Sequence, residues 1–294
     1  MTDLWRIALE GDYDTLSHLE PVLETLGGAI GFFEKDGRAH WRLEGLFDET
    51  ARAGDVQAAL AVSAKSAGIP MPETRVEAVA DRDWLTENLA SFPPVPVGRY
   101  FLYGSHYEGT VPAGRIGLQV EAGAAFGSGE HGTTQGCLRI LDGMAKWARP
   151  ARVLDVGCGS AVLAMAAART WPRAFALGTE IDKRSVRMAR ETVANNNLTP
   201  RVKIVRADGY RHDAVRRGGP WDLILANILA RPLMGLAGDL AANLAPGGSA
   251  VLSGLLKHQE RRVLAAHEAR GLVLREREVV GNWATLRVAK PAGR

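Results

Sequence analysis

Cysteine is scarce in this 294-residue chain: Cys137 and Cys158 are too few for a disulfide framework and lack the spacing of a metal site. No apolar run approaches the ~20 residues a membrane-spanning helix needs. No N-terminal signal pattern is visible either, so the sequence predicts a cytoplasmic protein in a reducing compartment. Internal repeats and low-complexity segments are also missing, which argues against a repeat array. What is present is an ordinary globular balance, 46% hydrophobic and 23% charged, enough for one large and one small domain without staples.

The net charge of +3 conceals an asymmetry. Residues 1–80 carry 14 Asp/Glu against 7 Lys/Arg, and the remainder carries 19 against 29. An acidic front end attracts a basic partner and speeds its encounter. The plain alternative is solubility together with drift in composition.

Residues 1–80 alternate between strand and helix patterns. Trp5–Glu10 reads as a strand. Asp12 or Asp14 can cap a helix with Leu16, Leu19, Val22, Leu23 and Leu26 on one stripe. Ala29–Glu34 and His40–Leu46 flank an Asp36-Gly37 turn that favours a hairpin. Asp55 opens a second helix to about Ala67, and Thr74–Ala80 makes a last strand. The order βαββαβ is that of a ferredoxin-like α+β unit. It holds no catalytic cluster, so residues 1–80 read as a substrate-recognition domain. Residues 81–115, with Pro93-Pro94-Val95-Pro96, read as a connector.

Residues 116–294 read as a doubly wound α/β domain. Val153–Val156, Ala174–Thr179, Val202–Ala207 and Leu223–Ala226 are apolar enough to be buried on both faces, which indicates a mostly parallel sheet. Gly248–Leu255 adds a fifth strand. Val273–Val280 and Ala284–Val288, joined by Gly281-Asn282, add two more as an antiparallel edge, because a two-residue link cannot cross over to a parallel neighbour.

The chemistry concentrates at strand ends. Asp155-Val156-Gly157-Cys158-Gly159-Ser160-Ala161 follows a buried strand and opens a helix, at the sheet edge where ligands bind. Gly157 and Gly159 let the backbone approach a ligand. A dinucleotide fingerprint wants a further glycine where Val162 stands. Asp155 suits a positively charged amino-acid moiety better than a pyrophosphate; a purely structural turn is the plain alternative. Glu180 lies 23 residues after Gly157, where an acid accepts hydrogen bonds from a ribose diol, while Asp182 has the better claim to helix capping. Asp208 could accept from an adenine amine, or simply form a turn with Gly209. Asn227, in Asn227-Ile228-Leu229-Ala230, could accept through its side-chain carbonyl from an attacking amine and aim its lone pair. It could also cap the helix before Arg231-Pro232. Finally, Phe126-Gly127-Ser128-Gly129-Glu130-His131-Gly132-Thr133-Thr134 is a glycine-rich loop entering a helix. Its free N–H groups could meet a carboxylate, with the loop as a lid over the ligand. His131 is either part of that lid or structural.

The histidine loop, the Asp155–Gly159 turn and Asn227-Ile228-Leu229-Ala230 together resemble the bacterial ribosomal protein L11 methyltransferase family. The resemblance runs from about residue 81 to the tail, and the βαββαβ front domain is similar in layout. It implies a class I methyltransferase with a seven-stranded sheet, S-adenosylmethionine as cofactor, and contacts to that cofactor from Thr134, Gly157, Glu180 and Asn227. Phe126, Asp155, Gly159 and Asp208 complete the expected cofactor set, and Asn227 and His131 are the candidate catalytic residues. Glu130, Gly132 and Glu180 depart from the Thr, Pro and Asp that many relatives carry. The implied substrate is the basic large-subunit protein L11, methylated on lysine side chains and an N-terminal amine, with the acidic front domain gripping it. No metal and no membrane partner is expected, and the chain is expected to be a monomer. The alternatives are a lysine methyltransferase for another protein, a nicotinamide-dependent oxidoreductase, and a non-catalytic ribosome-binding protein. Direct contact with RNA stays open.

Overall fold

A computed structural model describes residues 4–26, 29–35, 40–47, 51–79, 93–120 and 132–292. The chain divides into two compact units, Met1–Asn88 and Leu89–Arg294.

In the first unit, β1 (Leu4–Gly11) leads into α1 (Tyr13–Thr25). Asp12 caps that helix: its Oδ1 accepts from the Thr15 backbone N–H at 2.8 Å and its Oδ2 from the Thr15 hydroxyl at 2.8 Å. β2 (Ala29–Lys35) and β3 (His40–Phe47) pair antiparallel, with Lys35 opposite His40, as a hairpin requires. The intervening turn and the Gly27-Gly28 stop lie outside the described residues. α2 (Ala53–Ala67) begins two residues before Asp55 and ends on Gly68 in the left-handed region; β4 (Thr74–Val79) follows. The sheet order β2-β3-β1-β4, antiparallel throughout, is ferredoxin-like as expected. Residues of β3 alternate between buried and less buried, because the helices cover one face only. Leu16, Leu19 and Leu23 of α1 meet Ile7, Leu9 and Leu43 there in full burial, whereas Leu26 of the expected stripe is largely exposed.

The second unit starts with two strands inside the stretch expected to be a connector, 81–115, paired to a third at the start of the α/β domain. β5 (Val95–Val97), β6 (Tyr100–Tyr103) and β7 (Ile116–Gln119) form a three-stranded sheet, antiparallel then parallel. Val97, Tyr100, Leu102 and Leu118 join the main core. The Tyr100 hydroxyl bonds to Thr170 Oγ1 at 2.7 Å. Aromatic and branched residues are thus drawn inward despite the flanking prolines.

The main sheet has seven strands, in the order β10-β9-β8-β11-β12-β14-β13. They are β8 (Arg152–Val156), β9 (Phe175–Glu180), β10 (Val202–Arg206), β11 (Trp221–Asn227), β12 (Leu244–Leu256), β13 (Val273–Val280) and β14 (Trp283–Ala289). The first five run parallel, and β14 is antiparallel to both neighbours, which confirms the expected closing hairpin. Side chains alternate between two cores: Val153, Leu223, Leu225 and Val251 on one face, Leu154, Ile224, Ala250 and Leu252 on the other. Helices cover both faces, so the strands read as continuous apolar runs. α3 (Gly132–Met144), α4 (Val162–Thr170), α5 (Lys183–Asn195), α6 (Asp213–Gly218), α7 (Ala230–Gly235), α8 (Ala237–Asn243) and α9 (Glu260–Glu268) supply that cover. Among the described residues, no helix is long and apolar enough to cross a membrane.

Candidate active site

The C-terminal ends of β8, β9 and β11 converge with the start of α3. After β8 the backbone turns through three left-handed residues, Gly157 (φ 66°), Gly159 (φ 52°) and Ala161 (φ 65°). A Cβ at Gly157 would stand 2.4 Å from Ile228 Cγ2, so only glycine fits beneath the residue that follows Asn227. The Ser160 hydroxyl is 2% exposed and has no partner in this turn.

Asp155 supports the turn from behind rather than from an open crevice. It is 1% exposed, and its Oδ2 accepts from the Ala164 N–H of α4 at 2.9 Å. Burial pushes its carboxyl up to about 7, with nearby Glu180 adding to the rise and the Ala164 bond opposing it. One of its two carboxylate oxygens is thus committed to the helix backbone.

Glu180, at the end of β9, ties three backbone amides together. Its Oε2 accepts from Gly159 at 3.0 Å, and its Oε1 from Ile181 at 2.8 Å and Asp182 at 3.1 Å. One lone pair of Oε2 stays available as an acceptor. Asp182 caps α5 through the Ser185 N–H at 2.6 Å, as expected. Asp208, past the end of β10, is exposed and ion-paired to Arg211 at 3.2 Å.

Asn227 ends β11. Its Nδ2 donates to Thr133 Oγ1 and to Thr134 Oγ1, each at 3.4 Å, leaving Oδ1 as the acceptor. It does not cap the next helix: Leu229 holds that position, without a side-chain bond. Thr134, 2% exposed, is thereby brought to Asn227. Phe126, Glu130 and His131 lie outside the described residues.

Sequence reasoning missed the support beneath these groups. The Ser253 hydroxyl, fully buried on β12, donates to the Thr133 carbonyl at 3.1 Å and pairs with Thr285 Oγ1 at 2.8 Å. A Cβ at Gly254 would meet the Ile228 carbonyl at 2.3 Å, so β11 and β12 approach closely at their ends. A serine inside the apolar run 250–256 was the signal available. Both cysteines are buried and burial raises their thiol pKa, Cys137 to about 12, so neither is an activated nucleophile. Among the described residues no His/Cys/Asp/Glu group could hold a metal ion.

A family described as ribosomal protein L11 methyltransferase (PrmA) matches residues 25–291. The chain belongs to this family. It is accordingly an S-adenosylmethionine-dependent methyltransferase. It is 48% identical to the ribosomal protein L11 methyltransferase of a Caulobacter species over 225 residues, 76% of this chain and 77% of that one. It is 40% identical to that of Rhodopseudomonas palustris over 262 residues, 89% and 88% of the two chains. The crystal structure of ribosomal protein L11 methylase from Lactobacillus delbrueckii subsp. bulgaricus superposes with a TM-score of 0.57 at 25% identity, covering 66% of this chain and 94% of that one. The site of this methyltransferase fits its cofactor: a left-handed turn with no room for a Cβ at Gly157, an unpartnered buried hydroxyl, and an acid with acceptor capacity one strand away.

Proposed function

We propose that this methyltransferase acts on ribosomal protein L11 in the cytoplasm, methylating lysine side chains, the N-terminal amine, or both, at the carboxyl edge of the seven-stranded sheet. The observation that carries this reading is Asn227, whose amide nitrogen bonds two threonine hydroxyls at 3.4 Å, which leaves its carbonyl oxygen as the acceptor. When bound, S-adenosylmethionine supplies an electrophilic methyl group and a good leaving group.

The protein's work is then placement. Gly157 and Gly159 allow close backbone approach, and Glu180 takes the ribose diol through Oε2. Asp208 accepts from the adenine amine and Thr134 binds near the methionine end, while Phe126 is a candidate cofactor contact and His131 a candidate catalytic residue of the glycine-rich loop. Asp155 acts on the cationic cofactor through space, since its carboxylate is held by Ala164. Asn227 Oδ1 accepts from the incoming amine and points its lone pair at the methyl, an effect of orientation rather than of acid–base chemistry. A lysine amine, with an ordinary pKa of about 10.4, must first lose its proton, and desolvation at the sheet edge favours that loss. The acidic front unit gives a basic protein its initial hold.

Incubating the protein with cofactor and unmethylated L11, followed by mass spectrometry, tests the reading. Wild type should add methyl groups in 14-Da steps, about 14 Da being the mass of one CH₂. Asn227→Ala should turn over about 100-fold more slowly while cofactor affinity by calorimetry changes little. Unmodified L11 with wild type, or normal turnover in the variant, would refute it.

A further inference from the structure

Positive charge in the second unit is concentrated at one edge of its sheet. Between Lys183 and Arg217 stand ten Lys/Arg and three Asp/Glu. That stretch comprises α5, the edge strand β10 and α6. Three of the arginines are paired with Asp208 and Asp213. Lys183, Arg184, Arg187, Arg190, Lys203 and Arg206 are all exposed, and none has a carboxylate within ion-pair distance among the described residues. Arg190 lies along the open side of β10, its Nε and Nη2 donating to the Ile204 carbonyl at 3.1 and 2.9 Å. Arg206 donates through Nε to the Ile181 carbonyl at 3.0 Å, so the cationic band reaches the residue after Glu180.

Helix stability does not explain this arrangement. Lys183 and Arg184 sit in the first turn of α5, with Arg187 just beyond, and that turn contains no acidic residue. Cations at the positive end of a helix dipole are unfavourable there. Carbonyl bonds leave the charge of Arg190 and Arg206 uncompensated. Nor does the face suit a lipid surface, since α5 buries Val186, Ala189 and Val193 and exposes no large apolar side chain. Four of the six cations are arginines, whose planar forks match phosphate oxygens. They form an open band rather than a pocket, which fits an extended polyanion.

We propose that the β10 edge of the catalytic unit is a docking surface for the phosphate backbone of RNA, holding RNA beside the carboxyl edge of the sheet. This contact is separate from methyl transfer.

Anisotropy of a short fluorescent RNA hairpin mixed with the full chain tests the surface. With about four phosphates neutralised, affinity should fall about 100-fold between about 50 and 200 mM salt. The combined variant Lys183→Glu, Arg184→Glu and Arg187→Glu should weaken binding by more than about 100-fold at about 50 mM salt. Its cofactor affinity and its methylation of isolated protein substrate should match wild type. Acidic residues suit a helix start, so its thermal midpoint should not fall, which separates lost docking from lost folding. No hairpin binding, salt-independent binding, or unweakened binding by the variant would overturn the proposal. So would displacement of the hairpin by polyglutamate as readily as by unlabelled RNA, which would assign the band to an acidic protein. Cofactor calorimetry on the same samples reports separately on the methyltransferase site.

Discussion

The two units use their sheets in opposite ways. The front sheet is covered on one face, so every second residue of β3 is free to be polar. There Glu44 bridges Arg6 at 3.6 Å and Arg42 at 2.6 Å, and Glu77 adds a second partner for Arg6 at 2.5 Å. The catalytic sheet is covered on both faces, and β8 is buried from its second residue to its last. Its functional groups are consequently displaced to the strand ends, where the backbone leaves the apolar layers. A half-covered sheet can offer a recognition face along its length; a doubly covered one can offer chemistry only at its edge.

The sharpest way to break this contrast is at the edge itself. Gly157→Val places a branched side chain at φ 66°, where even a Cβ meets Ile228 at 2.4 Å. Cofactor affinity should drop by more than about 100-fold, with about 2–4 kcal/mol of stability lost, readable by calorimetry and urea unfolding. A comparable loss from a substitution in the front unit would erase the distinction.

Protonation gives a second, smaller handle confined to the catalytic unit. The Asp155 carboxyl is raised to about 7 in the folded protein, against an ordinary 3.8. As pH climbs from about 4 to 7, the unfolded chain gives up this proton first, so the group's contribution to stability declines across that window. Asp155→Asn keeps an acceptor for Ala164 and removes the decline. It should gain on wild type by on the order of 2 kcal/mol between pH 5 and 7.5 in urea unfolding. His267 works in the other direction. Burial holds its pKa below the ordinary value and its Nε2 has no partner, so its contribution is lost as pH falls below about 6.5.

In the front unit, Glu44→Ala should take from Arg42 its carboxylate partner and leave Arg6 with Glu77 alone. It should cost about 1 kcal/mol and raise KM for the protein substrate without altering cofactor affinity. The smallest expected effect belongs to Ala161, which sits fully buried at φ 65°. Ala161→Gly should relieve that conformation and add about 0.5–1 kcal/mol in the same unfolding assay.

Legibility in the sequence follows the same division. Doubly buried strands announce themselves as short apolar runs, and Val153–Val156 and Val202–Ala207 were placed to within a residue of β8 and β10. The turn at Gly157, the cap at Asp182 and the closing hairpin were equally plain, because each is a local rule of backbone geometry. β5 and β6 were not legible, whereas the strand pattern starting near Gly117 is β7. A three-residue strand containing Pro96 and a four-residue one beside it owe their form to antiparallel pairing with each other, to parallel pairing of β6 with β7, and to the core beneath. β12 also starts at Leu244, ahead of the Pro246-Gly247-Gly248 run that suggested a later beginning. The Thr133–Ser253–Thr285 bonds join residues 120 and 32 positions apart, which no local pattern encodes. Asp155 was recognised as important, yet its bond to a helix amide nine residues on depends on how α4 packs over β8.

Backbone hydrogen exchange, with and without S-adenosylmethionine, reads the location of the cofactor most directly. Slowed exchange should appear at Gly157–Ser160, Glu180–Asp182 and Asn227–Leu229, with Leu4–Val79 unchanged. Slowing confined to the front unit, or absent from those three strand ends, would contradict the assignment of the reaction to the carboxyl edge of the seven-stranded sheet.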